Sequence, residues 1–173
     1  MRHDHGLMRV RRWPENPAPA CGGTGVHGRR LLATDTSLTL ELARVVAYDS
    51  GLAVHLTLTA AAGSAHRAQH QTRPLTDPRD TSARWSYLDI WLGTTCHLAL
   101  ADPYCARPAI QASVAGMCTY HTEPQYWIGT DIVDAPVRSL TLTAEWRQIG
   151  LKPTIATLTL DHVADRRTRR AHR

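Results

Sequence analysis

Ser37-Leu38-Thr39-Leu40 is answered by Leu56-Thr57-Leu58, and the same letters return at Ser139-Leu140-Thr141-Leu142 and Leu158-Thr159-Leu160, each 102 positions further along. Alternation with period two puts every leucine on one face of an extended chain and every threonine on the other, so these segments read as strands with one buried side. The repeat directs the chain to an all-β fold before any other feature is considered. Identity across the 102-residue offset is confined almost wholly to the Leu-Thr ends. That fits convergence on a good amphipathic strand better than duplication of a hairpin.

The rest of the chain can be placed around these segments. Residues 36–48 and 52–61 flank Asp49-Ser50-Gly51, a tight connection in which the glycine can supply a positive φ. Arg44 followed by Val45-Val46 disturbs the alternation as a β-bulge does. A second hairpin, 137–147 with 154–162, closes through Gly150-Leu151-Lys152-Pro153. Further strands are expected at 84–92, 95–101 and 125–133, with a short one at 111–114. About seven strands separated by turn signals predict a single antiparallel β-sandwich, immunoglobulin-like in general architecture. A chain of 173 residues suits one such core. The sandwich domain is expected at 31–162. A flexible, basic, Pro/Gly-rich leader spans 1–30, and a basic tail at 163–173 can form a short helix. Residues 62–82 read as a solvated polar loop, with His66 and His70 in it, and 102–123 as an irregular one.

Charge is segregated along the chain. The leader carries six arginines against Asp4 and Glu15, the tail five against Asp165, and the body between has more acidic than basic residues. Lys152 is the single lysine. Arginine forks suit phosphate, but Ala, Arg, Thr and His abundance without any Phe is also the signature of a GC-rich genome. No stretch approaches the roughly 18 apolar residues of a membrane-spanning helix, and the basic N-terminus develops no apolar signal segment. A cytoplasmic protein with no membrane contact is the expectation. Its four cysteines are then free or metal-bound rather than paired.

Leu31-Leu32-Ala33-Thr34-Asp35-Thr36, running through Ala47-Tyr48-Asp49-Ser50-Gly51, resembles the opening hairpin of a group of uncharacterised actinobacterial proteins. Tyr126-Trp127-Ile128, Ala135-Pro136, Ala144-Glu145-Trp146 and Ile149-Gly150 are similar to their closing segment. The likeness covers residues 31–60 and 125–162, and it implies a small β-sandwich whose family function is unknown. Where those relatives carry a glycine-rich loop before the Tyr-Trp strand, this chain has Cys105, Cys118 and His121.

Those residues, with Cys96 and His97, fall within a 26-residue window, and Cys118-Thr119-Tyr120-His121 has a short chelating spacing. A tetrahedral zinc site drawn from Cys96, Cys105, Cys118 and His121 is one expectation, which makes a metal-dependent or thiol-based activity the alternative function. Ordinary buried thiols and a Cys105–Cys118 disulfide are the competing ones. His3-Asp4-His5 has no preorganised geometry for a metal. Asp131 and Asp134 fit turn-forming acids as well as paired carboxylates. No Gly-x-Ser-x-Gly, His-Glu-x-x-His or P-loop is present. Arg166, Arg167, Arg169 and Arg170 in the tail, with Arg9, Arg11 and Arg12, are suited to non-specific phosphate contact, so nucleic acid is a further candidate partner. The aromatic residues Trp85, Tyr87, Trp91, Tyr126, Trp127 and Trp146 are expected to fill the core. The leading expectation is a non-enzymatic module without a cofactor, acting through protein contacts or self-association. An assembly component is within that class, a virion protein of an actinobacterial phage included.

Overall fold

The computed structural model describes residues 19, 21–70, 72–74, 84–86, 88–93, 98–100, 102–105, 110–114, 116–129 and 137–161. Fourteen strands and one helix lie in these residues: β1 (Thr24–His27), β2 (Arg30–Asp35), β3 (Leu38–Tyr48), β4 (Gly51–Ala61), α1 (Ala62–His70), β5 (Thr72–Pro74), β6 (Arg84–Ser86), β7 (Asp89–Gly93), β8 (Leu98–Leu100), β9 (Asp102–Cys105), β10 (Ile110–Val114), β11 (Met117–Thr122), β12 (Gln125–Gly129), β13 (Ser139–Trp146) and β14 (Leu151–Thr159). Every pairing is antiparallel. The all-β architecture is the expected one.

The strand count doubles the expected seven because long rows are interrupted. β1 and β2 run end to end along β3, and β11 and β12 run end to end along β4 in one unbroken register. The eight strands of the large sheet thus form five rows: β1/β2, β3, β4, β11/β12 and β10/β9. The small sheet has the order β14-β13-β7-β8, and β5 with β6 makes a separate pair. The single strand expected at 84–92 therefore splits: β6 pairs with β5, while β7 moves to the small sheet to pair with β13.

Each Leu-Thr hairpin supplies one sheet, and the two leucine faces meet. Leu40, Leu42, Leu56 and Leu58 from the large sheet and Leu140, Leu142 and Leu158 from the small one are buried in one core. Each such side chain contributes about 1.5–3 kcal/mol on burial. The registers differ, however. Leu40 pairs with Leu58, whereas Leu142 pairs with Ala156, four residues short of the position the sequence echo designates. The hairpins are independent solutions to the same patterning problem.

Three departures from the sequence reading have local causes. Thr24–His27, inside the expected leader, is a sheet strand because Val26 reaches the core and its carbonyl accepts the Asp161 N–H at 2.8 Å. Residues 62–70, expected as a loop, form α1. Ala65 and Ala68 lie three apart on its buried face, and alanine combines high helix propensity with a small side chain that lets a helix settle closely on a sheet. Ser64, also buried, hydrogen-bonds the Ile149 carbonyl at 2.8 Å and the Ser37 hydroxyl at 3.0 Å, tying α1 to both sheets. Residues 102–123, expected as irregular, hold β9, β10 and β11.

Of the expected core aromatics, Tyr126 and Trp146 lie inside, Trp127 is covered on the outer face of the large sheet beside Tyr48, and Trp91 is half-buried. Tyr120 is a core aromatic that the reading missed. It meets Trp146 edge to face across the sheets, with ring centroids 6.2 Å apart. Burial disfavours the phenolate and pushes the Tyr120 hydroxyl up to about 12. The unfolded chain releases this proton near pH 10, so the folded state holds it over a window the unfolded state does not. Tyr120 thus favours the fold fully below pH 10, and that share, roughly 2–3 kcal/mol, is lost as pH rises toward 12. Urea melts at pH 9, 10.5 and 12, alongside tyrosinate absorbance, are expected to show Tyr120 ionising together with the loss of stability.

Candidate functional site

The outer face of the large sheet carries the polar side chains, and a transverse crease crosses it. In β3 an extra residue at Ala43-Arg44 opens a bulge: Leu42 pairs with Leu56 but Arg44 with His55, and both bulge residues are exposed. This is the bulge that Arg44 announces in the sequence. Two rows away, Glu123-Pro124 separates β11 from β12. Proline has no N–H to give the ladder, and its carbonyl accepts the Leu56 N–H at 3.0 Å. At the outer row, Gly28-Arg29 parts β1 from β2. These irregularities line up on either side of His55-Leu56.

A depression of about 270 Å3 lies in the crease, open to solvent and walled by Ala43, Arg44, His55, Thr57, Glu123 and Gln125. Cross-strand pairing fixes their relative positions: Arg44 stands opposite His55, and His55 opposite Gln125. Beside the depression His121 is held from both ring nitrogens, by the Thr59 hydroxyl at 3.3 Å and by Glu123 Oε1 at 3.2 Å. On the other flank Arg29 pairs with Glu41. The arrangement offers a guanidinium, a carboxylate, an imidazole and an amide on a shallow floor. They come from three separate stretches of sequence, 43–44, 55–57 and 123–125.

Of the four expected zinc ligands, Cys118 and His121 have described side chains, and the fold does not bring these two together. Cys118 and His121 are three apart on β11, and on a strand an odd spacing sends side chains to opposite faces. Cys118 turns inward, packs on the core and accepts a hydrogen bond from Gln69 of α1, whereas His121 stands on the outer face. They cannot chelate one ion together. The Cys118 thiol is free, so the Cys105–Cys118 disulfide is not formed. The backbone of Cys105 is opposite Gln125 in β9, and Cys96 and His97 lie outside the described residues. Among the described residues no three His, Cys, Asp or Glu side chains converge as metal ligands.

Arg166, Arg167, Arg169 and Arg170, like His3, His5, Arg9, Arg11, Arg12, Asp131 and Asp134, also lie outside the described residues. His66 is exposed on α1. No helix among the described residues is long and apolar enough to cross a membrane.

The groove residues Arg44, His55, Glu123 and Gln125 were not brought together by the sequence reading. Only the bulge at Arg44 gave a signal, since a bulge re-aims a side chain out of a flat sheet. No family model, no curated protein and no solved structure matches the chain.

Proposed function

We propose that the protein is a non-enzymatic binding module of the cytoplasm whose contact surface is the creased outer face of the large sheet, and whose partner is a protein surface of mixed charge. One observation carries the reading: Arg44 and Glu123 border the same shallow depression with their neighbours half-exposed, on a floor creased by a bulge and a proline break. Sites that perform chemistry on small molecules enclose them and exclude water. An open floor presenting opposite charges on a sheet instead suits a flat partner, with arginine as the anchoring side chain.

A photo-cross-linking residue placed at Thr57 in the native host is expected to capture a discrete protein adduct, and the same residue at Thr159 on the small sheet is not. Arg44→Glu is expected to weaken the captured complex by about tenfold or more, with a steeper loss in high salt. Equal adducts at both positions, or none at Thr57, overturn the reading.

A further inference from the structure

Sheet edges attract other strands, and among the described strands nearly every edge is defended. β1 and β2 carry bulges at Val26 and Leu32 and the charges of Arg29 and Arg30 around them. On β14, Lys152 and Pro153 occupy the start, and the Arg30 guanidinium donates to the Thr157 carbonyl at 2.9 Å. β9 contains Asp102 and Pro103, while β5, β6 and β8 are three residues long. β10 differs. It is five residues, Ile110-Gln111-Ala112-Ser113-Val114, with no charge, no proline and no shift of register against β11. Among the described strands it pairs with β11 alone.

Backbone parity shows which of its groups face away from β11. The Ala61 N–H donates to the Ser37 carbonyl, so Ala61 turns its backbone groups toward β3 and away from β11. Thr119, opposite Ala61, therefore turns toward β10 and Ala112. The Thr119 hydroxyl also donates to the Ala112 carbonyl. The alternate residues Gln111 and Ser113 are left directing N–H and C=O outward.

From this we infer that β10 is a self-association edge, and that its occupant is β10 of a second copy of this chain, antiparallel about a two-fold axis at Ala112. The strand is palindromic in kind. In that register Ile110 meets the partner's Val114, Gln111 meets the partner's Ser113, and Ala112 meets its own counterpart. The outward groups of Gln111 and Ser113 then close four backbone hydrogen bonds, with Ala112 at a non-hydrogen-bonded position where Cα atoms approach to about 4.5 Å. An unrelated strand has no need of that symmetry. The exposed residues beside the edge, Ala112, Gly116, Met117 and Thr119, bring no like charges together, although the chain is +5 overall. Met117, 68% exposed, adds apolar surface at the hairpin tip. A five-residue pairing is at the small end of interfaces, so the dimer is a micromolar, concentration-dependent one. This surface is separate from the crease, and the inference does not depend on the binding role proposed there.

Sedimentation of the full chain over a concentration series is expected to show monomer passing to dimer. Ala112 is exposed, so a charged residue fits there without disturbing the core. Ala112→Lys and Ala112→Glu, each placing like charges on the axis, are expected to be monomeric over the same range. Their equimolar mixture is expected to give a one-to-one heterodimer by native mass spectrometry. Arg44→Glu is expected to dimerise as the parent does. A parent chain that stays monomeric, an Ala112→Lys chain that still dimerises, or a mixture that does not pair overturns the proposal.

Discussion

Exchanging Gly51 for alanine is expected to cost about 3–5 kcal/mol of folding stability, a large share of what a domain of this size has to spare. Gly51 opens β4 directly after the turn residues Asp49 and Ser50, and its φ is +149°, a region that L side chains avoid. Neither turn residue has a positive φ, so Gly51 alone absorbs the mismatch between the turn and the twist of the strands. Space compounds the problem. A Cβ at Gly51 would stand 2.1 Å from the Ile128 carbonyl oxygen and 2.8 Å from Cζ2 of Trp127. The carbonyl belongs to β12, which is paired to β4 at this point, so relief requires the two strands to part. Denaturant melts of Gly51→Ala are expected to show the full loss, with Gly116→Ala, which has nothing within 4 Å of its Cβ position, losing far less. Equal losses at the two glycines would show that backbone conformation alone, and not the approach of β12, sets the cost.

What could be read from sequence here follows the range of the interaction. The Leu-Thr segments declared their faces because period-two burial is a local property, and the bulge at Arg44 declared itself because it shifts that period by one. α1 was hidden for a local reason too. Its buried face is Ala65 and Ala68, whose small apolar area is outweighed in any hydropathy reading by His66, Arg67 and Gln69. The chelating spacing of Cys118 and His121 misled because it is meaningful on a helix or tight turn and is split between faces on a strand. The crease was out of reach altogether. Arg44, His55 and Glu123 become neighbours only through the registers of β3, β4 and β11/β12, and no pattern within any one segment records those registers.

Trp146 gives the second large effect, and its energetics join the two sheets. It ends β13 just before the 3-10 turn Arg147–Ile149, and it is almost wholly buried against Tyr120 of the large sheet. Its position is set by a bulge on the facing strand: Ala144 pairs with Thr154 but Trp146 with Leu151, leaving the extra residue at Lys152-Pro153. Trp146→Ala is expected to cost about 3–5 kcal/mol, the range for removing a buried large aromatic and leaving its cavity. Among the described residues the indole Nε1 has no hydrogen-bond partner. The ring therefore acts by volume and contact rather than through its N–H, and Trp146→Phe is expected to cost only roughly 1–2 kcal/mol. The alanine variant carries a further signature. Water entering the cavity solvates the Tyr120 phenolate, so the hydroxyl that burial holds up at about 12 moves back toward 10. Chemical denaturation combined with tyrosinate titration of both variants checks the pair of effects. A Trp146→Ala protein within 1 kcal/mol of the parent, with Tyr120 still ionising near 12, would mean that the aromatic contact does not hold the sheets together.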